Sequence, residues 1–133
     1  MNRLITAVFV GLFSIAMLSC QKQKESAEQP AAEVKLEAAQ VKEAIETYIQ
    51  EKIAPERVFA IEDKVENRTR QLAFGYVHDS VHETEDGRYY ACVDFTEAPQ
   101  DTLDLDFYVT LDSDGNANVS EVVIHKINGV SRL

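Results

Sequence analysis

The chain has 133 residues and a formal net charge of −10, from 13 basic and 23 acidic side chains. That length suits one small domain with a single core and a short appendage. The acidic balance excludes a nucleic-acid binder, which must neutralise phosphates with Lys and Arg, and argues against holding an anionic membrane with the domain surface.

Residues 1–20 are the first feature. Arg3 is their one charge, the stretch 4–18 is almost wholly apolar, and Ser19-Cys20 closes the run before an abrupt polar shift at Gln21-Lys22-Gln23-Lys24-Glu25. A basic start, a short apolar run and a small residue at the boundary make a secretory signal. The run is shorter than the roughly 20 residues of a membrane span. With a cysteine at the boundary, Met17-Leu18-Ser19-Cys20 resembles the lipobox of bacterial lipoproteins, although Met17 stands where that family usually has Leu, Val or Ile. The resemblance implies a signal peptide over 1–19, cleavage before Cys20, and a diacylglyceryl group on its thiol with acylation (palmitate) of the new amino terminus. It also implies a cell-envelope location. Gln21 is not the aspartate that retains some enterobacterial lipoproteins at the inner membrane, so the expected place is the outer membrane, with the domain in the periplasm among the alternatives. Losing residues 1–19, with their one basic and no acidic side chain, takes the charge from −10 to −11. Lipidation of Cys20 leaves Cys92 without a disulfide partner in the chain.

Residues 20–32 are Cys20 followed by Lys, Gln, Glu, Ser, Ala and Pro30 without apolar periodicity, a flexible tether. A single domain follows over 33–133. Between 33 and 53, Val34, Ala38, Val41, Ile45 and Tyr48 recur at steps of three and four, with Ala44, Ile49 and Ile53 widening the stripe. This spacing predicts an amphipathic helix, ended by Pro55, which lacks an amide hydrogen. Residues 57–63 read as a weak strand and Glu66-Asn67-Arg68 as a turn. Leu72, Phe74 and Tyr76 alternate as in a strand, and Glu85-Asp86-Gly87 is a hairpin turn. Tyr89, Ala91, Val93 and Phe95 alternate next, with Cys92 expected as a buried, inert thiol.

Leu103, Leu105, Phe107, Val109 and Leu111 give the cleanest period of two, with Asp104, Asp106, Tyr108 and Thr110 between them. One face is core and the other wet, so truncating Phe107 should be costly and truncating Asp106 cheap. Residues 112–116 turn the chain, 119–127 form a last strand, and Asn128-Gly129 breaks the pattern. The expected fold is α+β: one N-terminal helix on a four- to five-stranded antiparallel sheet. In element order it is similar to cystatin-like and NTF2-like folds, which host binding modules, inhibitors and enzymes alike.

The chemistry-bearing residues are few. Asp112, Asp114, Asn116 and Asn118 suit a calcium loop by composition, but Gly115 is fourth and Val123 twelfth where an EF-hand needs a sixth-position glycine and a twelfth-position glutamate. His78 and His82 have helical metal-ligand spacing, yet they follow a strand and lead into a turn, where a surface loop is expected; His125 is the third histidine. No metal site and no cofactor are therefore expected. Between Asp79 and Glu121 there are twelve acidic residues and one basic, Arg88. If the strands pair as drawn, Tyr90, Asp94, Asp104, Asp106 and Tyr108 share the outer sheet face, an acidic, tyrosine-bearing surface for an envelope protein partner. No hydrolase, phosphate-binding or redox motif is present, which favours a non-enzymatic binding or assembly module. The alternative is a small NTF2-like hydrolase or isomerase using a buried carboxylate.

Overall fold

The computed structural model describes residues 35–53 and 55–133; the signal peptide, Cys20, the tether and Val34 lie outside the described residues. Helix α1 spans Ala38–Ile53 and buries Val41, Ile45 and Ile49. It begins later than the apolar stripe suggests, because Glu37 caps it: the Glu37 carbonyl accepts from Gln40 and Val41, and the Gln40 side chain reaches back to the Glu37 N–H at 2.9 Å. At the other end Pro55 has no N–H to give, and Arg57, in the left-handed region at φ 59°, closes the helix by donating to the Ile53 carbonyl.

Six strands follow, β1 (Phe59–Asp63), β2 (Arg68–Glu83), β3 (Tyr89–Glu97), β4 (Asp101–Leu111), β5 (Ala117–Ile127) and β6 (Val130–Ser131). They form one antiparallel sheet in sequence order. The sixth strand corrects the expected four to five. Asn128 and Gly129 do not end the sheet; with φ of 50° and 77° they form the tight turn that sends the chain back along β5. Gly87 and Gly115 supply positive φ at the β2–β3 and β4–β5 turns in the same way.

The inner face packs on the helix. Ala91, Val93, Phe95, Leu103, Leu105, Phe107 and Val109 are buried with the three helix residues, and Phe59 and Leu72 complete the wall. Phe107 lies at its centre: the Phe59 and Phe95 rings are 5.8 and 6.1 Å away, and Tyr48 of the helix meets it edge-on at 6.2 Å.

Past Leu72 and Phe95, toward the end of the inner face, hydrocarbon gives way to charge. Arg70 is 1% exposed. It donates to Asp63 at 2.7 Å and to Glu97, and lies 2.8 Å from Glu66. Arg68 grips Glu97 with two parallel bonds of 3.0 and 2.9 Å, and Arg132, beyond β6, reaches Glu66 at 2.6 Å. Asp63 also accepts the Val65 and Glu66 amides, which folds the β1–β2 turn. Burial opposes the charge on Asp63 and on Glu97, but the arginines, joined at Asp63 by these amides, outweigh it and hold both carboxyls below their usual range.

Candidate functional site

The outer face carries the polar residues of β2 to β5, and four irregularities in the pairing shape it, three of which bear on the site. Phe74 faces Phe95 while Tyr76 faces Asp94, so Gly75 is an extra residue on β2. A Cβ there would lie 2.6 Å from the Asp94 carbonyl oxygen, which is why glycine fits. Val77 faces Val93 and Val81 faces Ala91, so β2 bulges again through residues 78–80. On the other side Asp104 faces Lys126 while Leu105 faces Ile124. His125 is the extra residue, and the bulge gives it to the same face as Lys126. Following inward Ile124, His125 faces outward by alternation, and the bulge keeps Lys126 on that face before Ile127 turns in.

Three rows result. In the first, Tyr76 stacks on His78 (4.9 Å between ring centres, 4° apart), and His78 Nε2 is 2.8 Å from Asp94. Asp94 faces Asp104, and Asp104 lies 3.7 Å from Lys126. Burial disfavours the Asp94 charge, yet its hydrogen bond with His78 helps pull the carboxyl below its usual range; in turn the Asp94 charge raises the Tyr76 hydroxyl. In the third row His82 stacks on Tyr90 at 5.0 Å, Tyr90 meets Tyr108 at 5.3 Å, and the Arg88 guanidinium sits 4.6 Å over Tyr108.

Between them lies the row Cys92, Asp106, His125. Cys92 and Asp106 are directly opposite on β3 and β4, and the thiol donates to Asp106 Oδ1 at 2.9 Å. His125 Nδ1 is 3.3 Å from each oxygen of the same carboxylate. Asp106 is only 3% exposed, being covered from both sides, while Cys92 and His125 are half-buried. Desolvation, reinforced by hydrogen bonding to Asp106 and its charge, pushes the Cys92 thiol up to about 12.

The structure thus brings Tyr90, Asp94, Asp104, Asp106 and Tyr108 onto one face, as β3–β4 alternation predicts. Other expectations change. His78 and His82 are not in a surface loop; they lie on β2, which runs to Glu83 because its bulges absorb the polar residues without ending the strand. Cys92 is not a core thiol, since its neighbours Ala91 and Val93 take the inner positions. Asp106 is outward but not solvated. The acidic run does not form one patch either. Glu97 and Asp101 turn to Arg70 at the inner end, Asp79 meets Lys42 of the helix, and Glu83 meets Lys35. Asp112 is occupied by its own turn: it accepts from the Asp114 and Asn116 amides, both at 2.9 Å, and from Asn118 at 3.0 Å. His125, expected only as a third histidine beside His78 and His82, joins this face as well. Its signal, two consecutive polar residues His125-Lys126 between inward Ile124 and Ile127, is the signature of a bulge.

No helix among the described residues is long and apolar enough to cross a membrane. Compared with family models, with curated proteins and with solved structures, the chain matches none.

Proposed function

We propose that this chain is a lipid-anchored protein of the cell envelope, held through Cys20 most naturally at the outer membrane, and that its domain is a non-enzymatic binding module. The outer sheet face takes a basic segment of a protein partner. The observation that carries this reading is the pair of aromatic stacks, Tyr76–His78 and His82–Tyr90–Tyr108, standing exposed or half-buried among carboxylates while the helix covers only the opposite face. Rings of this kind offer rigid contact area with a polar tip. Asp94, Asp104, Asp106 and Glu121 there outnumber the permanent cations Arg88 and Lys126, which favours encounter with a basic partner. The element order supports a cystatin-like layout.

A hydrolase or isomerase has less support. The buried Asp63 is neutralised by Arg70, and the Cys92 thiol is hydrogen-bonded to a carboxylate and raised to about 12, unsuited to act as a nucleophile.

Two measurements test the proposal. Mass spectrometry of the native amino-terminal peptide should find an acylated Cys20; an unmodified Cys20 overturns the anchoring. A photoreactive residue replacing Tyr90 should crosslink one envelope protein, and Asp94→Asn with Asp104→Asn should abolish that adduct. The same probe at Glu46, exposed on the helix, is the control. Equal crosslinking from Glu46, or an adduct indifferent to the charges, overturns the docking face.

A further inference from the structure

We propose that Cys92, Asp106 and His125 form a binding site for one zinc-class divalent ion, with a fourth position open to solvent. This does not depend on the docking reading, and it reverses the expectation of no metal site, which rested on the strand context of His78 and His82 and placed Cys92 in the core.

The three candidate ligand atoms, Cys92 Sγ, an Asp106 carboxylate oxygen and His125 Nδ1, lie within 4.8 Å of one another. They are a thiolate, a carboxylate and an imidazole, the donor types that zinc uses. Zinc–ligand bonds of about 2.0–2.3 Å at tetrahedral angles separate N and O ligands by about 3.4 Å and S and O ligands by about 3.6 Å. The His125–Asp106 separation of 3.3 Å already fits, and the Cys92–Asp106 separation of 2.9 Å has to open slightly. Each ligand comes from a different strand, so the sheet hydrogen bonds hold the set. Asp106 is nine-tenths or more buried, and His125 joins it on the outer face because it follows inward Ile124 on β5. The half-exposed Cys92 and His125 leave a solvent approach.

The proton balance is explicit. With the metal absent, the Cys92 thiol keeps its proton on Asp106. The ion takes the thiolate, the neutral imidazole and the carboxylate, and one proton leaves to solvent.

The test uses the full chain in detergent carrying Cys20→Ser, so that Cys92 is the sole thiol. Cobalt(II) titration should give a thiolate-to-metal charge-transfer band saturating at one ion per chain and displaced by zinc. Zinc affinity by chelator competition should fall roughly tenfold or more in Cys92→Ser and in His125→Ala, and stay unchanged in His82→Ala. Cys92→Ser keeps a hydrogen-bond donor to Asp106, so far-UV circular dichroism and melting without metal will show it folded. Absence of the cobalt–thiolate band, or zinc bound as tightly in Cys92→Ser or His125→Ala, overturns the site.

Discussion

The two faces of the sheet are made of the same strands but hold themselves together differently. The inner face is hydrocarbon against a helix, with Val41, Ile45, Ile49, Leu105 and Phe107 all fully buried, and it ends in a buried cluster of arginines and carboxylates. The outer face has no covering layer among the described residues. Its order comes from cross-strand pairs, ring stacks and hydrogen bonds to Asp94 and Asp106. Stability is concentrated on the inner face, because burial of apolar area there far exceeds what exposed polar pairs contribute. The outer face is accordingly free to carry recognition.

The largest effects should fall on the inner side. Arg70→Ala removes the cation that Asp63 and Glu97 surround, and stranding buried carboxylates costs about 3–5 kcal/mol. A urea series showing less than 1 kcal/mol lost (on the order of an exposed pair) would mean that the cluster is effectively solvated. The same cluster sets the acid limit. Asp63 and Glu97 have depressed folded-state values, so their stabilisation is present above the ordinary carboxylate range near pH 4 and is lost as pH falls through the lower folded values. The urea midpoint should drop between about pH 4 and pH 2, and that drop should shrink in Arg70→Ala. Phe107→Ala, which empties the centre of the aromatic wall, should cost a similar 3–5 kcal/mol or so.

An intermediate effect marks the boundary between the faces. Asp106→Ala should cost about 1–3 kcal/mol, because Cys92 and His125 lose their shared acceptor. A loss below about 0.5 kcal/mol, the usual range for surface changes, would make Asp106 an ordinary exterior residue. Tyr90→Ala should be smallest, below about 1 kcal/mol for a half-exposed ring pair. If it destabilises more than Phe107→Ala, the sheet is inside out.

Much of the inner face was legible in the sequence because burial imposes period: 3.6 on residues 38–53 and two on 103–111. The outward placement of Tyr90, Asp94, Asp104, Asp106 and Tyr108 follows from the same alternation. What escaped depends on breaks in it. A bulge shifts which face later residues take, so Gly75 decides where Tyr76 points and the extra residue His125 decides where Lys126 points, and no period announces either. The burial of Asp106 escaped for another reason. It requires knowing that Cys92, fourteen residues away, is directly opposite, and pairing register is not local information. Arg70 was missed likewise: it occupies an inward position of β2, where alternation says apolar, and only its partners on β1 and β3 make a charge tolerable there.

The strand order has a kinetic meaning. Every strand pairs with the one preceding it in the chain, so each pairing closes a loop of only a few residues and none has to wait for a distant segment. Such a sheet has low contact order for a β structure and should assemble hairpin by hairpin, faster than Greek-key sheets of similar size. The slow event in this scheme is closure over long separations: docking of α1 along β5, and the bond from Arg132 back to Glu66 across 66 residues. A chain cut after Leu111 should therefore form its early hairpins, yet lack the pieces that lock them around the helix.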